Sequence, residues 1–129
     1  MSTLFTNYDR IIANGDHELR ADALEIAEAG IRRVIPYEAV RRLISCDDSC
    51  IRVGSLTIPW DRVNHIYVVG AGKGSFPIAQ ALDDIFGENI KAGTVIVKDG
   101  EKRRLPHIEI FESSHPIPDA RSIEAADKL

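Results

Sequence analysis

The sequence predicts an α/β protein: a Rossmann-like parallel sheet with helices on both faces, preceded by N-terminal helices and a small hairpin. Three observations carry this. A short continuous apolar run, Ile66-Tyr67-Val68-Val69, leads straight into the glycine loop Gly70-Ala71-Gly72-Lys73-Gly74-Ser75 and then into a helical stripe. Two further strand-like runs follow, Thr94-Val95-Ile96-Val97 and Ile108-Glu109-Ile110-Phe111. The order strand, helix, strand, loop, strand, helix is that of parallel strands joined by right-handed crossovers.

Taken in order, residues 1–46 read as a helical lead-in. Leu4, Tyr8, Ile11 and Ile12 suggest a first helix closed by Asn14-Gly15. Asp16 is a plausible N-cap for a second, whose Leu19, Ala23, Ile26, Ala27, Ile31 and Val34 recur in steps of three and four and are expected to face inward. Pro36 suits the first turn of a third helix, with Ala39, Val40, Leu43 and Ile44 on its inner side. The period changes over 50–58, where Ile51, Val53, Leu56 and Ile58 surround the two-residue turn Gly54-Ser55 of a hairpin. Residues 66–129 form the βαβ unit. Its first strand is continuously apolar, as a strand covered on both faces should be. Ile78, Ala79, Ala81, Leu82, Ile85 and Phe86 are the buried stripe of the helix that follows, and Gly87 stops it. A last helix begins near Ala120 and runs to Lys128-Leu129 without a C-cap. Three buried strands are fewer than the roughly five to six of an average sheet. The reading therefore expects an incomplete domain whose remaining strands lie beyond Leu129.

Composition narrows the class. The 129 residues include 16 Lys and Arg against 20 Asp and Glu, a formal net charge of −4, which argues against nucleic acid as a partner. The basic run Lys102-Arg103-Arg104, between Gly100 and Pro106, reads as a solvated turn. No basic segment followed by an apolar stretch opens the chain, and no run approaches the ~20 apolar residues of a membrane span. A cytoplasmic protein without a membrane partner is expected. Cys46 and Cys50 are the only cysteines; free structural thiols are expected, since no His stands at zinc-ligand spacing.

The glycine loop carries the first chemistry. Glycines let a backbone turn sharply and approach a ligand without a Cβ in the way, and the helix that follows aims unpaired N–H groups at the same spot. Gly70, Gly72, Gly74 and Ser75 are therefore candidate anion-binding positions. Lys73 adds a mobile cation, and it is the candidate catalytic residue. A solvated lysine is the bland alternative, but a cation at a helix N-terminus opposes the helix dipole, so something negative is expected to bind there. The NTPase phosphate loop is excluded because its Lys follows the last glycine, whereas Gly74 follows Lys73. The dinucleotide fingerprint fits poorly: its third glycine falls on Ser75, and the ribose-binding acid at the end of the second strand is replaced by Lys98, with Asp99 one residue later.

The second constellation is Glu112-Ser113-Ser114-His115-Pro116-Ile117-Pro118-Asp119. It follows a strand's carboxyl end, the side on which open α/β sheets bind ligands, so it can share a crevice with Lys73. Ser114 and His115 are candidate ligand contacts. His115 reads equally as a ligand contact, donating to a phosphate or acting as acid or base, and as a packed, hydrogen-bonded loop residue. Asp119 reads as the N-cap of the last helix. His17, His65 and His107 join no constellation. No metal-binding group is identified.

These motifs in this order resemble the N-terminal part of the two-domain glycerate 2-kinase family, some of whose members are also called hydroxypyruvate reductases. The resemblance rests on Val68-Val69-Gly70-Ala71-Gly72-Lys73-Gly74, on Gly93-Thr94-Val95-Ile96-Val97-Lys98-Asp99-Gly100 and on Glu112 to Asp119. It implies transfer of the γ-phosphate of ATP, with Mg²⁺, to the 2-hydroxyl of D-glycerate, in a cleft between a Rossmann-like domain and a second domain. The family's glycine-loop lysine maps onto Lys73, and its His-Pro-x-Pro-Asp loop maps onto His115 to Asp119. The family's later Ser-Gly-Gly-Gly-Ser-type loop and second domain have no counterpart here, so the isolated chain is expected not to turn over. Alternatives are an NAD(P)H-dependent hydroxypyruvate reductase, which the missing ribose acid disfavours, and a non-catalytic anion-binding or association domain. Open sheet edges also lead to the expectation of a homo-oligomer.

Overall fold

Asp16 opens the first long helix with its own side chain, accepting the Leu19 amide at 3.0 Å and so satisfying a donor that a helix start leaves free. In the computed structural model, which describes residues 3–129, this is helix α2 (His17–Val34), preceded by α1 (Tyr8–Ile12) and followed by α3 (Pro36–Leu43) with Pro36 in its first turn. The expected inward stripe of α2 is not inward. Leu19, Ile26 and Val34 are 68%, 75% and 70% exposed, while the half-buried positions are Ala21, Leu24, Glu28 and Arg32. The helix turns this mixed face toward α1 and α3; Glu28 accepts from Thr3 and from Arg32 on that side.

Ile44 is a second correction: α3 ends at Leu43, and Ile44–Cys46 becomes strand β1. It pairs antiparallel with β2 (Cys50–Val53), which pairs with β3 (Leu56–Pro59) across the Gly54-Ser55 turn. Gly54 has φ +58°, a conformation that suits glycine. The expected hairpin is thus two strands of a three-stranded sheet. Cys46 stands opposite Ile51 and shares its face, so Cys50, the neighbour of Ile51, points to the other face. Both thiols are free.

The second sheet is parallel, in the order β4 (Ile66–Ala71), β5 (Ile90–Lys98), β6 (Glu109–Ser113). Helix α4 (Ser75–Phe86) connects β4 to β5, and α5 (Ala120–Ala126) follows β6. Gly87 stops α4 with φ +48°. The alternation of side chains along a strand assigns the two faces. Val68, Val95, Val97 and Ile110 join Phe76, Ala79 and Phe86 of α4 in one core, each fully buried large side chain contributing about 1.5–3 kcal/mol. Ile51 brings the small antiparallel sheet onto this core. Ile96 and Phe111 point to the opposite face, where α5 lies over β5 and β6.

The connection from β5 to β6 closes over Gly93. A Cβ there would stand 2.8 Å from Ile108 Cγ1, so glycine leaves room for this buried side chain to cross the strand. Asp83 of α4, itself buried, accepts the His107 amide at 2.9 Å and fixes the same connection. Helices thus occupy both faces of the sheet, but not over its whole width. Tyr67 and Val69 are 62% and 66% exposed, so β4 is covered on the α4 face only. The apolar run was expected to be buried on both sides; α5 stops short of β4, which leaves the second side bare.

Candidate functional site

The site is built where β4 gives way to α4. Gly72 and Gly74 take φ +111° and +79°, both unfavourable for side-chain-bearing residues. They turn the chain tightly: the Gly72 amide donates to the Ile96 carbonyl at 3.0 Å, and the Ser75 amide donates to the Gly72 carbonyl at 3.2 Å. Between these anchors the amides of Lys73 and Gly74 have no hydrogen-bond partner among the described residues. No side chain caps α4, and its first turn carries no acidic residue. A helix start with free donors, no carboxylate and an exposed Lys73 is open to an external anion.

The second loop is fixed by α5. Asp119 caps that helix as predicted, accepting the Arg121 amide at 3.1 Å, while Ser122 Oγ takes the Asp119 amide at 3.3 Å. Ser122 also lies 3.1 Å from Ser113 Oγ, which joins the end of β6 to the helix. Arg121 donates to Asp99 at 2.6 and 2.9 Å and to Asp119 at 2.7 and 2.9 Å. This pins the loop to the tip of β5 and holds both carboxyls below the usual carboxylate range. The His115–Pro116 peptide is cis.

The two loops meet. A 260 Å³ cavity at the carboxyl ends of all three parallel strands is lined by Gly72, Lys73, Lys98, Ser114, His115 and Ser122, with Ala71, Ile96, Val97 and Ser113 completing its wall. Of the sequence-predicted positions, Gly72, Lys73, Ser114 and His115 line this cavity. Gly70 does not; it lies within β4 opposite Val95, where a Cβ would find only ordinary contact at 3.6 Å. Gly74 and Ser75 do not line it either. Gly74 borders a separate depression with Pro36, Phe76 and Arg103, and Ser75 is the first residue of α4. In the sequence Lys98 reads only as the residue in place of a ribose-binding acid and Ser113 only as part of the second loop, and Ser122 is not singled out. The first two close their strands on the ligand-binding side, and Ser122 completes an Asp-x-x-Ser cap pattern, so both signals were present.

The cavity's charge is one-sided. Lys73 and Lys98 line it and no carboxylate does; the Lys98 ammonium is 3.3 Å from Glu101 Oε1 at the rim. The position that would hold a ribose in a dinucleotide site is therefore cationic. No group of three or more His, Cys, Asp or Glu side chains able to hold a metal ion occurs among the described residues. Of the carboxylates around the cavity, Asp99 and Asp119 are occupied by Arg121 and Glu101 by Lys98, so these residues do not fit a magnesium ion. A larger cavity of 670 Å³ runs along the outer edge of β6 beside Lys102, Arg103 and Arg104. It is lined by one continuous stretch, 102–111, and lies off the carboxyl ends of β4 and β5, so the smaller cavity is the candidate site. Arg103 stacks on Phe76 at 5.3 Å, the solvated side of the predicted basic turn.

Comparison with known proteins places the chain among relatives. Residues 22–129 match the family described as a domain of unknown function, DUF4147. The glycerate 2-kinase of Pyrococcus horikoshii is 29% identical over 109 residues, and the D-glycerate 2-kinase of Thermotoga maritima 27% over 112; these cover 84% and 86% of the chain and 24% of each relative. A protein of Agrobacterium vitis, provisionally named a hydroxypyruvate reductase, is 44% identical over 62 residues, 48% of the chain and 14% of that protein. The crystal structure of the PH0495 protein from Pyrococcus horikoshii OT3 superposes with a TM-score of 0.60 at 31% identity, over 79% of this chain and 24% of that one. The chain spans about a quarter of the length of these kinases. No helix among the described residues is long and apolar enough to cross a membrane.

Proposed function

The chain belongs to the DUF4147 family, and on that footing we propose that it supplies one wall of an active site that transfers the γ-phosphoryl group of ATP to the 2-hydroxyl of D-glycerate, giving 2-phosphoglycerate and ADP. The observation that carries this reading is the cavity at the sheet's carboxyl ends, with two lysines and no carboxylate. The named activities of the Pyrococcus and Thermotoga relatives supply the reaction. Phosphoryl transfer asks little covalent chemistry of a protein and much positioning and charge stabilisation. Lys73 and the free amides of its loop would hold an anionic group, either the phosphoryl oxygens as they gain charge or the glycerate carboxylate. His115, exposed on the opposite wall, would donate to the same anion. At 260 Å³ the cavity is below the roughly 300–1,000 Å³ of a small-molecule site, so it suits the charged end of a ligand rather than a whole nucleotide. The chain's residues assign no ligand to the Mg²⁺ that accompanies ATP, and no step here runs through it. A hydroxypyruvate reductase would need a ribose-binding acid where Lys98 stands.

The test uses a hybrid in which residues 1–129 replace the matched quarter of the Pyrococcus horikoshii kinase, as wild type and as Lys73→Ala. Each is incubated with ATP, Mg²⁺ and D-glycerate, and the product is identified. The expected result is 2-phosphoglycerate, with the rate falling about 10²–10³-fold in Lys73→Ala, the usual loss for one charge-stabilising donor. A folded wild-type hybrid that forms no phosphorylated product would sink the proposal. Binding of ATP or glycerate without turnover would instead favour a non-catalytic anion-binding domain.

A further inference from the structure

We propose that the serine pair Ser113 and Ser122, where β6 meets α5, presents a hydroxyl proton to the cavity, and that Ser113 is the donor that holds an oxyanion on the β6 side. The inference rests on the cavity being an anion site and does not depend on which reaction the site performs.

The hydroxyl protons of this pair do not balance within the protein. A serine hydroxyl has one proton to give and lone pairs that accept. The Asp119 amide can only donate, and it donates to Ser122 Oγ at 3.3 Å as part of the α5 cap. Ser122 Oγ lies 3.1 Å from Ser113 Oγ, and that bond uses one of the pair's two protons. The other proton has no acceptor among the described residues. Both residues are half-buried and both line the 260 Å³ cavity, so the leftover proton serves the cavity whichever way the shared bond runs.

The cap selects Ser113. A hydroxyl that already accepts a hydrogen bond is polarised into a better donor, so the chain runs from the Asp119 amide through Ser122 to Ser113. Ser113 is left with its oxygen engaged and its proton free. The sheet then sets it beside a cation. Ser113 and Lys98 are register partners at the ends of β6 and β5, so their side chains leave the same face, and both line the cavity. An ammonium and a free hydroxyl proton side by side, with no carboxylate in the wall, suit an unprotonated oxygen such as that of a phosphate. A ligand group that presents only donors would leave the proton unmatched.

Ligand and helix are thereby linked. An anion that accepts from Ser113 strengthens the bonds behind it, back to the Asp119 amide. Occupancy of the cavity is then felt at the start of α5, although of residues 119–123 only Ser122 lines the cavity.

Titration of the 129-residue chain with inorganic phosphate, at fixed pH and ionic strength and read by amide chemical shifts, tests the assignment. Ser113→Ala should weaken phosphate binding about tenfold, the loss of one hydrogen bond to a charged acceptor, and Ser113→Thr should restore it to within about twofold. Ser113→Val matches threonine in shape without the hydroxyl and should bind as weakly as the alanine variant; where Ser113→Ala does not fold, the threonine and valine variants decide. In the wild type, saturating phosphate should slow hydrogen exchange at the Asp119 amide. A hydroxyl that only braces β6 against α5 would change stability and leave affinity alone. Unchanged affinity in the folded alanine and valine variants, with Lys73→Ala still weakening it, would overturn the donor and leave the anion site in place. So would an Asp119 exchange rate that phosphate does not alter, or a tenfold loss in Ser122→Ala with none in Ser113→Ala. A wild type that shows no phosphate binding would overturn both the anion site and this proposal.

Discussion

Replacing Gly93 by alanine tests the account of how the sheet is closed. Gly93 is buried in β5, opposite Val68, and carries no positive φ, so its need for glycine is steric. An added methyl would stand 2.8 Å from Ile108 Cγ1, 3.2 Å from Cγ2 and 3.3 Å from Cβ. Ile108 has little room to move, because it is 3% exposed and the next residue back, His107, is tied to buried Asp83. Overpacking of this kind costs about 1–3 kcal/mol. Alanine's smaller unfolded-state entropy offsets about 0.4–1 kcal/mol of that, leaving a net loss of about 1–2 kcal/mol. Urea denaturation gives the number directly, from the midpoint at unchanged slope. The cause is isolated by Ile108→Ala, which alone should cost about 2–5 kcal/mol through its cavity. In the double variant the new methyl enters space that the isoleucine has vacated, so the two losses should sum to more than the double variant shows, by about 1 kcal/mol or more. A Gly93→Ala protein as stable as the wild type, or strictly additive losses, would refute the close approach of Ile108.

The other glycines should separate by conformation. Gly70→Ala should change stability by less than about 1 kcal/mol, since its neighbour is at contact distance, whereas Gly72→Ala and Gly74→Ala should each cost about 1–2 kcal/mol for positive φ. Equal losses at all three, read by thermal unfolding, would count against this. Arg121→Gln should alter acid stability. Asp99 and Asp119 have folded pKa values depressed by Arg121, so their contribution is full above the unfolded value of about 3.9 and disappears as pH falls below it. The variant should therefore lose stability near neutral pH and approach the wild type at low pH; a deficit that grows on acidification would contradict the linkage. In the isolated chain the open sheet edges should pair with a second copy. Sedimentation velocity should show concentration-dependent association that Val69→Lys reduces, and a wild type that stays monomeric at all concentrations would refute this.

What the sequence made legible was local. The β4–α4 turn, the Asp16 and Asp119 caps and the Gly87 stop are set by residues within a few positions of one another, and each was found. The convergence of Lys73 with His115 followed from a general rule about strand ends, which a parallel sheet obeys wherever its loops come from. What failed depended on distant neighbours. The α2 stripe has the right period, but periodicity does not say which side of a helix its neighbours cover, and here α1 and α3 cover the side of Ala21, Leu24, Glu28 and Arg32. Val69 has the composition of a buried residue, and only the reach of α5 leaves it bare. Gly70 looked like part of the anion loop because it is a glycine beside that loop. The strand, paired with β5 through Ala71, simply runs one residue beyond it. Lys98 and Ser122 had local signals, a strand end and an Asp-x-x-Ser cap, but only the packing of α5 on the sheet brings both to one cavity.

Arg121 has one more effect, on how a ligand would reach the cavity. Asp99 directly follows Lys98, which lines the cavity, and Asp119 ends the loop that begins with Ser114 and His115; unpaired, these carboxylates would set a negative field against an arriving anion. The guanidinium lies between them and cancels one of the two charges, and Glu101 stands 3.3 Å from the Lys98 ammonium. The cation of the cavity wall that meets an incoming phosphate without a carboxylate partner among the described residues is therefore Lys73. At physiological salt such fields reach about 8 Å. Capture by this chain should therefore weaken with added salt as one uncompensated cation, Lys73, would dictate, although acidic side chains outnumber basic ones over the whole molecule.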